Sequence, residues 1–300
     1  MRFLAILIVL ALSFATVSFQ AAAEEKIGVV LMHGKRSTTK ERSPVGLLRY
    51  KLEVEDFLVA TPDMPWHQDR WLAKDYEQSM AEIDAVVADL RSRGATKIVV
   101  GGHSMGANAA LGYGARRNGL AGILAIAAGH FNDDDGFQLQ VDRDYLRARE
   151  MVEAGKGDDA AAFSDVNQKK AYKSEIKARI YLSWYDPQGP ASMKKNAAGL
   201  RPGTALMWIV GGKDRGARGK FYAFERASAH PKNAYVVVSG GHRDTPEEGA
   251  DKIIAWLRAL QCEKPWCGKP NPSSVNDPTT LKGFGRTDCT LVQLIKSECE

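Results

Sequence analysis

Lys97-Ile98-Val99-Val100-Gly101-Gly102-His103-Ser104-Met105-Gly106-Ala107-Asn108-Ala109-Ala110-Leu111-Gly112-Tyr113 is the stretch whose reading decides the fold. Its β-branched beginning reads as a buried strand, and its small-residue end suits a helix packed closely on a sheet. Between them lies Gly102-His103-Ser104-Met105-Gly106, a Gly-x-Ser-x-Gly pentapeptide. A serine at a sharp strand-to-helix turn is held in strained backbone with its hydroxyl projecting, and the flanking glycines remove Cβ atoms that would clash. Ser104 is therefore the candidate nucleophile. The competing reading is an ordinary N-cap serine in a glycine-rich turn.

Outward from this turn, short apolar runs alternate with amphipathic helical patterns, the signature of a mostly parallel sheet covered by helices. Strands are expected at residues 27–32, 57–60, 98–101, 122–127, 205–210 and 235–238. Residues 75–93 predict a long helix, with Met80, Ile83, Val86, Val87 and Leu90 three and four apart and Gly94 as its stop. A closing helix is expected over 246–260, with Ile253, Ile254, Trp256 and Leu257 inward. Residues 180–184 read as a strand or a lid edge. Residues 132–177 break the rhythm, being polar and helical in pattern, and read as a candidate lid insertion over the carboxyl edge of the sheet or as a decorated crossover.

A serine nucleophile needs a base, and the base needs an orienting group. Of six histidines, His242 is the best base, because Ser239-Gly240-Gly241-His242 follows a predicted strand and so lies at the carboxyl edge expected for Ser104. His103 is expected to point away from the turn and pack beside the nucleophile, and His130 also ends a strand near the same edge. Asp214 follows the 205–210 strand and precedes His242 by one helix and one strand, so it is the candidate acid. Asp186 is the alternative acid, with Asp133, Asp134 and Asp135 as further rivals. Backbone N–H groups for an oxyanion are expected from Met105, at the start of its helix, and from Lys35 in the loop His33-Gly34-Lys35 after the first strand. Met64 and Trp66 are candidates for a substrate pocket or for plain packing. Arg36, Lys35, Arg70 and Arg215 lie near predicted loops on the carboxyl edge and read as a solvated basic rim, with a preference for anionic substrates as the alternative.

The order Ser104, Asp214, His242, with the pentapeptide between strand and helix and His33-Gly34 after the first strand, resembles the α/β-hydrolase superfamily over residues 26–260. The resemblance implies a Ser-Asp-His triad, an oxyanion hole and cleavage through an acyl-enzyme. The superfamily's first two strands are absent by this count, leaving about six or seven, as in small exported serine esterases and lipases. The implied substrate is a small-molecule carboxylic ester or thioester. An amide or peptide hydrolase with the same triad and an inactive binding protein of the same fold are the alternatives.

The two ends stand outside the resemblance. Residues 1–23 carry one charge, an apolar core and Ala21-Ala22-Ala23, which is the pattern of a secretory signal peptide and implies a periplasmic or secreted protein. The four cysteines, Cys262, Cys267, Cys289 and Cys299, all fall in the tail, residues 261–300, where an exported chain would pair them as disulfides. No later stretch is long and apolar enough to span a membrane. The net charge of +5 is diffuse and gives no reason to expect nucleic acid. No metal or organic cofactor is implied, and the oligomeric state is left open.

Overall fold

Strand β1 (Ile27–Met32) is buried at all six positions, and its side chains divide by the two-residue period of a strand. Val30 and Met32 join one core cluster and Ile27, Val29 and Leu31 the other, so β1 is covered on both faces. A parallel central strand requires this, and its sequence is accordingly an unbroken apolar run. The computed structural model describes residues 25–167, 170–214 and 219–261. The signal-peptide and disulfide expectations, Arg215 and all four cysteines lie outside them.

After β1 come α1 (Pro44–Val54), β2 (Leu58–Ala60), α2 (Tyr76–Ser92), β3 (Lys97–His103), α3 (Met105–Arg116) and β4 (Gly122–Ile126). The insertion follows as α4 (Asp135–Gln138), α5 (Asp142–Glu153), β5 (Ala160–Asn167) and β6 (Lys170–Lys177). The chain returns through α6 (Ala178–Tyr185), α7 (Met193–Ala198), β7 (Ala205–Gly211), α8 (Gly219–Tyr222), β8 (Ala234–Val238), α9 (Thr245–Glu248) and α10 (Ala250–Gln261).

Among the described residues the main sheet has six strands in the order β2-β1-β3-β4-β7-β8, all paired in parallel. Its core packs α2 and α3 on one face and α1 and α10 on the other. Helix α2 starts at a capping box, in which Asp75 accepts from the Gln78 N–H and Gln78 reaches back to the Asp75 N–H. It buries Met80, Ile83, Val87 and Leu90, as the spacing predicts, and ends before Gly94 at φ +97°.

Three expectations are corrected. Residues 180–184 form part of α6, because the apolar run buries one helical face, Ala178, Ile180, Tyr181, Trp184 and Tyr185. The insertion is only half helical. β5 and β6 pair antiparallel as a separate two-stranded hairpin, seated by buried Phe163, Val166 and Ile176. Phe163 stacks on Tyr181, and Tyr181 on Tyr185, at 4.4 and 4.1 Å between centroids. The closing helix is also broken at Gly249, where Ile209 packs so closely that a Cβ would lie 2.4 Å from its Cδ1.

The strand order reverses direction between β1 and β3, which places a crevice at their carboxyl ends. Met32 and Gly102 are register partners there, so the two loops that follow, at His33-Gly34-Lys35 and at Ser104, leave the sheet side by side.

Candidate active site

Ser104 has φ +57° and ψ −116°, a backbone conformation that an L-residue adopts only when its surroundings impose it. The glycines explain how the turn closes. A Cβ on Gly102 would lie 2.6 Å from the Gly106 carbonyl carbon, and one on Gly106 would lie 2.7 Å from the Met32 carbonyl oxygen. Although Ser104 occupies the N-cap position of α3, its side chain makes no capping hydrogen bond. The hydroxyl instead faces Gly129, where a Cβ would stand 2.6 Å from Oγ.

His242 and Asp214 stand on the loops after β8 and β7, with His242 Nδ1 and Asp214 Oδ2 2.7 Å apart. Ser104, His242 and Asp214 all line one cavity of about 670 Å³, together with Lys35 and Met105. Asp186 is elsewhere: its Oδ1 accepts from the Gln188 N–H in a local turn after α6. Asp133 is occupied by Ser192 Oγ and the Lys194 N–H, and Asp134 caps α4.

The loop after β1 is braced from below. His33 donates through Nδ1 to the Gly34 carbonyl at 2.8 Å and accepts the Met64 N–H at Nε2, 3.1 Å. Trp66 Nε1 donates to the His33 carbonyl at 2.8 Å. Burial lowers the His33 pKa to about 4, which keeps the ring neutral and this two-way bonding intact. Met64 and Trp66 are thus fully buried behind the loop, with Trp66 edge-on to Trp184. Neither lines the cavity. The pocket expectation for them is corrected to packing, because the indole is needed to satisfy the His33 carbonyl.

The basic rim is corrected at Lys35. Lys35 is buried and its ammonium faces Asp165 of β5 at 2.6 Å. Arg36 stays exposed, with its guanidinium carbon over Trp71 at 3.9 Å from the ring centroid, and half-buried Arg70 forks onto Glu82. Among the described residues, no backbone carbonyl takes the N–H of Lys35 or of Met105.

Three features add contacts that the sequence reading did not supply. His103 is buried beside the nucleophile and outside the cavity lining, as expected, but its bond was not foreseen: Nε2–H donates to the His242 carbonyl at 2.8 Å, and burial holds its pKa near 3. His130, at φ +64°, lines the cavity and donates from Nε2 to the Trp184 carbonyl at 2.8 Å. The insertion supplies Phe137, Gln140, Val166 and Asn167 to the cavity wall, and α8 supplies Tyr222. Phe131, Phe137, Val166 and Tyr222 give the cavity apolar lining, beside polar groups that come both from the triad loops and from Asp134, Gln140 and Asn167. The positions of such wall residues follow from how the insertion folds back, which no local sequence pattern announces.

The α/β hydrolase family model matches residues 29–255. The chain belongs to the α/β hydrolase family. This α/β hydrolase is similar in fold to the siderophore hydrolase EstB from Aspergillus fumigatus, at 15% identity over 80% of this chain and 92% of that one, with a TM-score of 0.56. It is also similar to a thermostable carboxyl esterase from Bacillus coagulans, at 15% identity over 80% and 92% of the two chains and a TM-score of 0.55. A third similar structure is Est1E from Butyrivibrio proteoclasticus with bound ferulic acid, at 13% identity, 78% and 89% coverage and a TM-score of 0.53. No curated protein sequence matches this α/β hydrolase. Among its described residues, no group of three or more His, Cys, Asp and Glu could hold a metal ion. No helix among them is long and apolar enough to cross a membrane.

Proposed function

We propose that this α/β hydrolase is an exported serine hydrolase that cleaves carboxylic esters or thioesters through an acyl-enzyme on Ser104. The observation that carries the reading is the 2.7 Å contact of His242 Nδ1 with Asp214 beside the cavity that Ser104 faces. An imidazole held by a carboxylate at Nδ1 presents the lone pair of Nε2, the form that a general base requires.

In this reading Ser104 Oγ attacks the carbonyl carbon while His242 Nε2 takes the hydroxyl proton. The carbonyl π electrons move to oxygen, and the N–H groups of Lys35 and Met105 receive that charge at the start of α3. Collapse of the tetrahedral species breaks the bond to the alcohol or thiol, which leaves with the proton from His242. Water then repeats the sequence on the acyl-enzyme, giving the carboxylic acid and free Ser104. Asp214 orients the imidazole and stabilises its charged form without itself being protonated. The apolar lining suits an acyl or aryl group, and the similar fold of a carboxyl esterase supports ester over amide cleavage. Incubation with a fluorophosphonate followed by peptide mass mapping tests the reading. Modification at Ser104 is expected, and an unmodified Ser104 in folded protein contradicts it.

A further inference from the structure

Lys35 joins two parts of the molecule. Its backbone belongs to the loop beside the nucleophile, where a Cβ on the preceding Gly34 would lie 3.2 Å from Ser104 Cβ. Its side chain runs into the insertion, where Nζ donates to Asp165 Oδ1 at 2.6 Å, to the Val166 carbonyl at 2.9 Å and to the Tyr185 hydroxyl at 3.4 Å. The three acceptors come from β5 and α6, and they use the ammonium's three protons. The Tyr185 hydroxyl also donates to Asp165 Oδ1.

The next residue is pinned to the other strand of the same hairpin, because Arg36 Nη2 donates to Ser174 Oγ on β6 at 2.6 Å. Arg36 has φ +49°. A left-handed, non-glycine residue persists only where its surroundings hold it, and here the holding contacts come from the insertion, from Trp71 and from the Trp66 carbonyl that takes the Arg36 N–H.

Stability does not explain the buried pair. A well-packed apolar replacement of both members of a buried ion pair is often neutral or stabilising. What an ion pair with fixed acceptors supplies is direction, and the direction fixed here is that of a cavity-lining residue that directly follows Gly34, the close neighbour of Ser104. Among the described residues Asp165 Oδ2 is buried without a hydrogen-bond partner and faces Arg36 Nε at 3.9 Å, so the carboxylate's hydrogen bonds run through Oδ1 to Lys35 and Tyr185 while its other oxygen meets the next residue of the same loop.

We propose that Asp165 is a positioning residue: through its buried ion pair with Lys35 it holds the Lys35 N–H on the oxyanion, making the β5–β6 hairpin a working part of the site as well as its cover. This rests on the serine-hydrolase reading above. The hairpin would then raise turnover more than substrate affinity, because its effect falls on charge that exists only after attack.

The test compares the parent with the double variant Lys35→Met/Asp165→Leu, which removes both charges together and strands neither. Kinetics on a short-chain aryl ester are read beside the affinity of an aryl boronic acid, whose tetrahedral adduct on serine occupies the oxyanion site. Removing one oxyanion donor typically lowers kcat by about 10²–10³-fold, so displacing one is expected to lower it by about 10- to 100-fold. KM should stay within about threefold, and boronate affinity should fall by the same factor as kcat/KM. Parent-like kcat in the double variant would overturn the proposal, as would a loss confined to KM or an unchanged boronate affinity. Lys35→Met/Asp165→Asn, which again leaves no buried charge and keeps the shape of the acidic side chain, is read the same way if the first double variant does not fold. Parent protein that neither cleaves the ester nor takes up a fluorophosphonate overturns the hydrolase reading itself, and this shows before any variant is made.

Discussion

The Nε2–H of His103 donates to the backbone carbonyl of His242 at 2.8 Å, and the two rings lie 4.8 Å apart. The residue before the nucleophile therefore holds the loop that carries the base. His103→Leu is expected to keep the protein folded and to lower kcat by about 10- to 100-fold, the scale of a misplacement near 1 Å. His103→Gln, which keeps a donor, should recover part of that loss. Steady-state kinetics of the two variants check this, and equal losses would assign His103 to packing alone.

The Asp214–His242 contact leads to a second expectation. Asp214→Asn removes the charge that orients the imidazole while keeping its shape, and kcat should fall by about 10³–10⁴-fold with little change in KM. The Asp186→Asn variant, altered in a turn after α6, should retain parent activity. The same kinetic assay applied to both variants separates the two acids.

Acid stability has a definite sign. Burial lowers the pKa of His33 to about 4 and of His103 and His130 to about 3, whereas the unfolded chain titrates these rings near 6.5. Between these limits the unfolded state binds more protons, so stability falls as pH drops from about 7 toward 4. Each imidazole contributes a slope of about 1.4 kcal/mol per pH unit within that window. Urea unfolding at several pH values between 7 and 5 should show this loss. His130→Asn, which tolerates the left-handed backbone, should flatten the slope by about one proton, and an unchanged slope would contradict the assignment.

Much of the fold was legible because a parallel sheet writes itself as apolar runs: β1, β3, β4 and β7 are buried almost throughout. Asp214 and His242 could be placed together because each follows such a run. The hairpin was hidden because β6 carries lysines on an exposed face and buries only Ser174 and Ile176. Residues 180–184 carry too little pattern to distinguish a strand from one face of a short helix. The role of the Lys35 side chain was illegible for a different reason, since its partner Asp165 lies 130 residues away. Met64 and Trp66 read as pocket candidates because a loop at the carboxyl edge was correctly expected. Which way its side chains turn depends on the His33 bonds beneath it.

The start of α2 gives a stability prediction remote from the chemistry. Asp75→Ala removes a capping box and the contact with Arg179 at 3.3 Å, and should destabilise the protein by about 1 kcal/mol. A drop in thermal midpoint of about 2–4 °C with unchanged kcat is expected for a domain of this size. Calorimetry and the ester assay on the same sample check both halves.

The central claim is that Ser104 is the nucleophile. Its most direct measurement is hydrolysis of a short-chain aryl ester by parent and Ser104→Ala protein, both shown to be folded. The parent should turn over, and the variant should lose at least about 10³-fold in kcat. A Ser104→Ala protein that cleaves the ester as fast as the parent would contradict the account.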